Sequence, residues 1–162
     1  MKSQESERTI VANNPKASHD YFLDEKYECG ISLIGTEVKS IRNKKVNIKD
    51  SFAQLKNGEI ILINMHISPY DPGSFSNVSP TRNRRLLLHK KEIAKIYRQI
   101  SQKGVTLVPT SLYFVKNKVK VEIAVARGKK LYDKRESIAK KDAERRMLQA
   151  QKNWFWNIIK AL

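Results

Sequence analysis

The chain has 162 residues, of which 40% are hydrophobic, so it is long enough for one domain with one modest core and a tail. Its 32 Lys and Arg outnumber its 16 Asp and Glu, and the formal net charge of +16 indicates a polyanionic partner, most often a nucleic acid. A single cysteine excludes an intramolecular disulfide, and the sequence shows neither a signal peptide nor an apolar run long enough to cross a membrane, so we expect a cytoplasmic protein with no membrane partner.

The first third of the chain predicts a flexible start, a strand and a helix. Residues 1–13 are polar and are expected to be flexible. Residues 27–35 are rich in β-branched and aromatic side chains and end at a glycine, which is typical of a strand. Residues 36–45 predict a short helix with Thr36 as its N-cap, Glu37 near the positive end of the helix dipole and cations near its close.

The middle of the chain predicts a hairpin, a loop and a second helix. Asn57 and Gly58 lie between two apolar runs and favour the two-residue turn of a β-hairpin, because this turn needs two positive φ angles. Residues 68–84 are rich in Pro, Ser, Gly and Asn and predict a loop. Residues 86–104 predict the clearest helix, whose apolar stripe contains Ile93, Ile96, Tyr97 and Ile100.

Two more strands are predicted over residues 105–115 and 118–126, joined near Asn117-Lys118. In the second strand apolar residues alternate with more polar or small ones, so Lys120 points away from the apolar face. Five or six short strands, interrupted by helices and joined largely by hairpins, predict an α+β, mainly β, domain over residues 14–127. We expect this domain to be a small, partly open antiparallel barrel.

Residues 128–162 form a basic tail with a different character. From Arg127 to Lys152 the chain has ten Lys or Arg, four Asp or Glu and few apolar residues. We expect this tail to be disordered or marginally helical when free, and to be ordered by a partner. Its last ten residues place Trp154, Ile158 and Leu162 on one helical face, which could dock on the protein itself, on a partner or on a membrane surface.

Sequence patterns of catalysis are absent. The 3 histidines share no metal-ligand spacing, and we find neither a phosphate-binding loop nor a nucleophile elbow. We therefore predict a binding protein without metal or cofactor rather than an enzyme. Small barrels with exposed aromatic and basic residues more often bind RNA or single strands, and one candidate surface contains Arg82, Arg84, Arg85 and the cationic face of the helix that follows.

Four motifs are more specific than the composition: HDYFLDEKYECGISLIGTEVKSIR, NMHISPY, RLLLHKKEI and GKKLYDKRE, in this order between residues 14 and 136. Together they resemble the tmRNA-binding family known as small protein B. The resemblance implies an oligonucleotide-binding-type antiparallel β-barrel, an RNA-binding domain with two or three flanking helices and a basic C-terminal tail. It also implies a monomer that binds the tRNA-like domain of tmRNA and enters stalled ribosomes, where elongation factor Tu with GTP delivers the charged RNA.

The resemblance also gives the tail a task. In the family the barrel takes the place of a tRNA anticodon arm near the decoding centre, and the tail enters the vacant mRNA channel and folds there as a helix. The channel is walled by rRNA phosphates, so a cationic, helix-prone tail is attracted and ordered there. An mRNA in the channel would exclude the tail, so the tail can detect a channel without mRNA by binding alone, without catalysis.

Individual roles follow from the resemblance. His19 matches a position near the decoding centre, and within the signature GTEVKS we expect Gly35 to serve the turn, Val38 the core, and Lys39 with Arg42 to bind phosphate. The expected RNA-binding residues are Asn14, Lys16, His19, Tyr21, Glu28, Gly35, Glu37, Lys39, Arg42, Arg84, Arg85, Leu87 and Lys120. The expected residues of the tail in the mRNA channel are Gly128, Lys129, Lys130, Asp133, Lys134 and Arg135.

Other interpretations stay open at this point. The alternative for Glu28 is a carboxylate that only holds a barrel arginine or lysine, and the alternative for Leu87 is a core residue. Pro15 and Ser18 depart from the more basic residues usual before the histidine, and the aromatic end 154–156 is not a family feature. Alternative functions are a ribosomal or ribosome-assembly RNA-binding protein, an RNA-processing enzyme, or a cationic membrane-surface protein, and the four motifs favour the tmRNA-binding family over all three.

Overall fold

The computed structural model describes residues 7–70 and 77–161, without the side chains of residues 131–133. The chain divides into two compact units, Met1–Gly128 and Lys129–Leu162, one residue away from the predicted boundary. The described part of the first unit contains nine strands and three helices: β1 (Arg8–Asn13), α1 (Pro15–Asp20), β2 (Tyr21–Ile31), α2 (Gly35–Arg42), β3 (Val46–Asn47), β4 (Phe52–Lys56), β5 (Glu59–Ile63), β6 (His66–Ile67), β7 (Arg84–Leu87), α3 (Lys90–Ile100), β8 (Val105–Val115) and β9 (Lys118–Gly128).

Six antiparallel strands of this unit form a closed ring in the order β8-β4-β5-β7-β2-β9, with β9 pairing back onto β8. The predicted α+β, mainly β, barrel is therefore confirmed, although its ring is closed rather than partly open. The seam between β4 and β8 consists of one pair, Ala53 with Leu107. Farther along the same edge of β8, residues 111–115 pair with β1.

Strand alternation fills the barrel with apolar side chains. On β9 the side chains of Val121, Ile123 and Val125 are buried, and on β2 Tyr27 and Cys29 point inward while Glu28 points outward. Each fully buried aliphatic side chain contributes roughly 1.5–3 kcal/mol of transfer free energy. Burial raises the pKa of the Cys29 thiol to about 12, so this group is protonated at neutral pH.

Two tight turns join long hairpins. Asn57 and Gly58 have φ angles of 51° and 74° between β4 and β5, which confirms the predicted two-residue turn. Between β8 and β9 the turn residues are Lys116 and Asn117, with φ angles of 48° and 64°, one residue earlier than predicted. Both turns match the right-handed twist of their strands.

Three predictions about local structure are wrong: the flexible start, the N-cap of α2 and one member of the apolar stripe of α3. Residues 8–13 were expected to be flexible but form β1, because the edge of β8 offers them backbone hydrogen-bond partners; residues 1–6 lie outside the described residues. Thr36 is not the N-cap of α2, since the helix begins at Gly35 and the Glu37 side chain accepts a hydrogen bond from the Ile34 N–H at 3.2 Å. Tyr97 belongs to the predicted apolar stripe of α3 but is 60% exposed.

The second unit consists of one long helix, α4 (Leu131–Ala161). All its side chains from residue 138 to residue 161 are exposed, so this unit has no core of its own to stabilise the helix. The expectation that the tail is disordered or marginally helical when free stays a prediction. No helix in the described ranges is both long and apolar enough to cross a membrane.

Candidate nucleic-acid interface

The outer face of the barrel brings together four residues from four different strands. The strand register places Lys120 opposite both Gly30 and Tyr113, and Gly30 opposite Leu87. Directly paired residues project to the same side of a sheet, and Glu28, two residues before Gly30, projects there as well. We call the surface formed by Glu28, Leu87, Tyr113 and Lys120 the outer-sheet face.

Leu87 lies at one edge of this face and is 48% exposed, whereas its neighbour Leu86 is buried. The alternative that Leu87 is a core residue is therefore wrong. A Cβ atom added at Gly30 would lie 3.2 Å from the Leu87 Cβ, so the glycine leaves room for the leucine on the surface. An exposed leucine on the same face as Lys120, with Gly30 of β2 between them, offers an apolar contact for a ribose or a base.

Glu28 is held by two partners on the outer-sheet face. The Tyr113 hydroxyl donates a hydrogen bond to Glu28 Oε2 at 2.5 Å, and Arg8 Nη2 forms an ion pair with the same oxygen at 3.1 Å. The Arg8 guanidinium also lies 4.9 Å from the centroid of the Tyr113 ring. Burial and the nearby Glu28 carboxylate raise the pKa of Tyr113, so its hydroxyl stays protonated and donates. Glu28 thus holds a barrel arginine, as the alternative stated, yet its side chain remains 39% exposed.

The two expected phosphate-binding cations of α2 are exposed and lie over aromatic rings. Lys39 Nζ is 5.3 Å from the centroid of Tyr70, and the Arg42 guanidinium is 5.8 Å from that of Phe114. Arg42 and Phe114 line a cleft of about 350 Å³ together with Lys44. Cations beside partly exposed aromatic rings suit the phosphates and bases of RNA.

Glu37 and Arg84 were predicted to bind RNA, but both are buried against each other. Arg84 donates from Nε to Glu37 Oε2 at 2.6 Å and from Nη1 to the Met65 carbonyl at 2.7 Å, and Arg82 also pairs with Glu37. Burial alone would raise the pKa of Glu37, but its hydrogen bonds from Arg82, the Ile34 N–H and Arg84 outweigh burial and lower it. The network joins α2 to β7 and uses the polar atoms of both side chains within the protein, so direct RNA contacts of this pair stay a prediction.

Arg85 and Gly35 differ from that buried pair. Arg85 is exposed on the outer side of β7, where it pairs with Glu59 at 3.1 Å, so it can reach a ligand. Gly35 was assigned to a turn, but it is the first residue of α2 and a Cβ atom there would contact nothing within 4 Å. The open space around Gly35 would allow an RNA backbone to approach closely.

The remaining predicted barrel residues lie around α1. Asn14 is only 6% exposed and donates from Nδ2 to the Pro109 carbonyl at 2.9 Å, so it anchors α1, and its contact with RNA stays a prediction. Lys16 is exposed and pairs with Asp50 at 3.0 Å, and the His19 ring nitrogen Nδ1 lies 2.8 Å from an Asp20 oxygen. Tyr21 pairs with Gly128 across β2 and β9, so α1 lies where the chain leaves the barrel.

A family model described as "SmpB protein" matches residues 11–153 of the chain. The chain belongs to the SmpB family. An SsrA-binding protein of Clostridium acetobutylicum is 55% identical over 153 residues, covering 94% of this chain and 99% of that protein. One from Thermoanaerobacter pseudethanolicus is 60% identical over 135 residues, covering 83% and 86%. A chain of a solved structure described as "tmRNA-SmpB: a journey to the center of the bacterial ribosome" is 49% identical with a TM-score of 0.63, covering 74% of this chain and 85% of that one.

The predicted tail residues of this SmpB-family chain surround the start of α4. Gly128 is exposed at the end of β9, and Lys129 Nζ donates to the Ser137 hydroxyl at 2.8 Å. Lys134 donates its backbone N–H to the Lys130 carbonyl, and Arg135 is exposed. The side chain of Asp133 lies outside the described residues.

Sequence reasoning missed Tyr113, which belongs to the outer-sheet face, and Arg8, which lies over the Tyr113 ring. Arg8 lies in a segment that was expected to be flexible, and it precedes the residues that the family model matches. Tyr113 is only 2% exposed because Arg8 and Glu28 cover it, although its strand position directs it outward. The pairing of Tyr113 with Lys120 depends on the register of β8 and β9, and the sequence carries no signal for it beyond the hairpin turn.

The described residues contain no group of three or more His, Cys, Asp or Glu side chains that could hold a metal ion. The site instead offers hydrogen-bond donors and acceptors, cations and aromatic rings on an outer surface. Such groups can bind phosphates and bases without catalysing a reaction.

Proposed function

We propose that this protein binds the tRNA-like domain of tmRNA and accompanies it to stalled ribosomes, acting by binding rather than by catalysis. The observation that carries the proposal is the outer-sheet face, on which Glu28, Leu87 and Lys120 meet although they lie on three strands. The resemblance assigns each of the three to tmRNA binding. Relatives named SsrA-binding protein and a solved relative named with tmRNA and the ribosome support the same function.

The barrel supplies the affinity in this proposal. Lys39, Arg42 and Arg85 are exposed cations that neutralise RNA phosphates, and Lys120 adds a partly exposed one on the outer-sheet face. Affinity should therefore fall steeply with salt, with a slope of log affinity against log salt of about −0.7 to −0.9 for each neutralised phosphate. His19, in α1 just before β2 begins, is the residue that the resemblance assigns to the neighbourhood of the ribosomal decoding centre.

The tail supplies the test for an empty mRNA channel. Gly128 marks the exit from the barrel, and the exposed cationic side chains of α4 are available to rRNA phosphates. The complex works in the cytoplasm as one protein per tmRNA, with elongation factor Tu and GTP delivering the charged RNA. A ribosomal or ribosome-assembly protein would share the basic surface but not a preference for tmRNA.

One experiment tests RNA binding. Fluorescence anisotropy should show tighter binding to the tRNA-like domain of tmRNA than to an ordinary tRNA. Lys120→Ala should weaken this binding about tenfold, which corresponds to about 1.4 kcal/mol. Lys103→Ala, which removes an equal charge from an exposed turn, is the matched control and should bind as the wild type does. Equal affinity for both RNAs would reject the proposal.

A second experiment tests the division between barrel and tail. A chain that ends at Gly128 keeps the whole barrel and should retain its affinity for the tRNA-like domain. The same chain should fail to support peptide tagging on stalled ribosomes in a reconstituted translation assay. A parallel loss of affinity and tagging would contradict separate roles for the two units.

A further inference from the structure

Arg8, Glu28 and Tyr113 form a cluster that exceeds what attachment of β1 requires. The register already fixes β1 on β8 through five residue pairs, from Arg8 with Val115 to Asn13 with Ser111. The Arg8 side chain nevertheless remains 53% exposed and that of Glu28 39% exposed, although both lie beside the almost fully buried Tyr113. Two charged groups are thus held in place while they still face solvent.

The cluster presents an acceptor next to a donor. Tyr113 and Arg8 both contact Glu28 Oε2, so Oε1 has no hydrogen-bond partner in the part of the chain that the structure describes. Arg8 uses Nη2 for this ion pair and retains further N–H groups on its planar guanidinium. Because the guanidinium lies over the Tyr113 ring, its plane has a preferred orientation.

A side-by-side acceptor and donor match the Watson–Crick edge of an unpaired nucleobase. A base edge carries N–H donors beside carbonyl or ring-nitrogen acceptors, and proteins recognise single-stranded RNA through such edges. A phosphate, by contrast, offers only acceptors, and the exposed carboxylate of Glu28 would repel it. The neighbouring Lys120 and Leu87 place the cluster on the surface that we propose for RNA.

We propose that Arg8 and Glu28 together bind the edge of one unpaired base of the RNA, and that Tyr113 holds the carboxylate in position. Glu28 Oε1 accepts from a base N–H, and Arg8 donates to the adjacent base acceptor. This inference rests on the proposed function and deepens it, since it names a nucleobase as the ligand of this face. Arg8 lies outside the matched residues 11–153, so the site extends beyond the part shared with the family model.

The test combines protein variants with abasic nucleotides. The full-length wild type, Arg8→Lys and Tyr113→Phe are titrated with the tRNA-like domain of tmRNA and with versions in which single unpaired nucleotides lack their base. Arg127→Lys is the matched control for Arg8, because Arg127 pairs with Asp24 at 3.0 Å on an equally exposed surface. Tyr27→Phe is the control for Tyr113, because it also loses one hydroxyl hydrogen bond, to Gln99 at 2.8 Å.

We expect Arg8→Lys and Tyr113→Phe to weaken binding about tenfold and about threefold, with an unchanged salt slope since neither removes a positive charge. At one abasic position the wild type should bind more weakly than it binds the intact RNA, whereas Arg8→Lys should bind the abasic and the intact RNA equally. Both control variants should match the wild type on both RNAs. Wild-type affinity of Arg8→Lys, or the absence of any abasic position with this effect, would overturn the base-edge inference but not the proposed function. A wild type that does not prefer the tRNA-like domain over tRNA would instead overturn the proposed function.

Discussion

Replacing Arg84 by methionine should destabilise the barrel strongly, because the arginine side chain is 0% exposed and has three acceptors. Nε donates to Glu37 at 2.6 Å, Nη1 to the Met65 carbonyl at 2.7 Å and Nη2 to the Pro80 carbonyl at 3.1 Å. Removal of one partner of a buried ion pair typically costs about 3–5 kcal/mol, since it leaves an uncompensated buried charge. Domains of this size have only about 5–15 kcal/mol of stability in all.

The bonds that remain after each substitution decide where the loss of stability lies within this range of about 3–5 kcal/mol. After Arg84→Met, Glu37 keeps Arg82 and the Ile34 N–H, so we expect a loss near about 3 kcal/mol. After Glu37→Gln, the fully buried Arg84 has no carboxylate, so we expect a loss nearer about 5 kcal/mol. The double variant should cost about 1–3 kcal/mol less than the sum, because the two side chains interact directly.

Urea unfolding followed by near-ultraviolet circular dichroism of the barrel tyrosines measures these losses, since both tryptophans lie in α4. Arg85→Met is the matched control: it removes the adjacent arginine, whose pair with Glu59 is about half exposed, and should change stability by less than about 0.5 kcal/mol. If Arg84→Met cost no more than Arg85→Met, the assignment of a structural role to the Glu37–Arg84 pair would be wrong.

Three further predictions concern pH, backbone and salt. In the folded state the Glu37 pKa lies below its ordinary value of 4.5, so the carboxylate stabilises the fold fully above that value and loses this effect on acidification. Urea unfolding between pH 5 and pH 3 should therefore show a smaller fall of the unfolding free energy for Glu37→Gln than for the wild type. Gly58→Ala, at a φ of +74°, should cost about 1–2 kcal/mol in the same urea assay, whereas Gly35→Ala, with open space around it, should change stability by less than about 0.5 kcal/mol. Anisotropy titrations at several salt concentrations should give a less negative slope for Lys39→Ala than for the wild type, by about 0.7–0.9, and an unchanged slope would remove Lys39 from the phosphate contacts.

Local features of the fold could be predicted where the chemistry is local. Asn57-Gly58 specifies its own turn geometry, and the alternation along 118–126 fixes which side of β9 is buried. By contrast, β1 could not be predicted from its own residues, because its pairing depends on the free edge of β8. Strand β7 could not be predicted, because its first inward residue is Arg84, and the alternation of apolar and polar residues predicts that a charged side chain faces outward.

The site divides in the same way. The resemblance identified Glu28, Leu87 and Lys120, but only the register of β2, β7 and β9 places them on one face. Sequence reasoning assigned Glu37 and Arg84 to RNA because charge in a family motif suggests a ligand, yet these residues, 47 positions apart, neutralise each other. Whether a charged side chain serves the fold or a ligand depends on its tertiary neighbours, which a single sequence does not show.

The buried thiol of Cys29 makes the protein convenient for spectroscopy. A thiol with a pKa of about 12 and 0% exposure reacts slowly with maleimides, since the thiolate is the reactive form. A cysteine introduced at Ser137 or at an exposed site of α4 would then be the one fast-reacting position, without removal of the native residue. Fluorescent or spin probes attached there would report how mobile α4 is in the free protein and whether a partner restricts that motion.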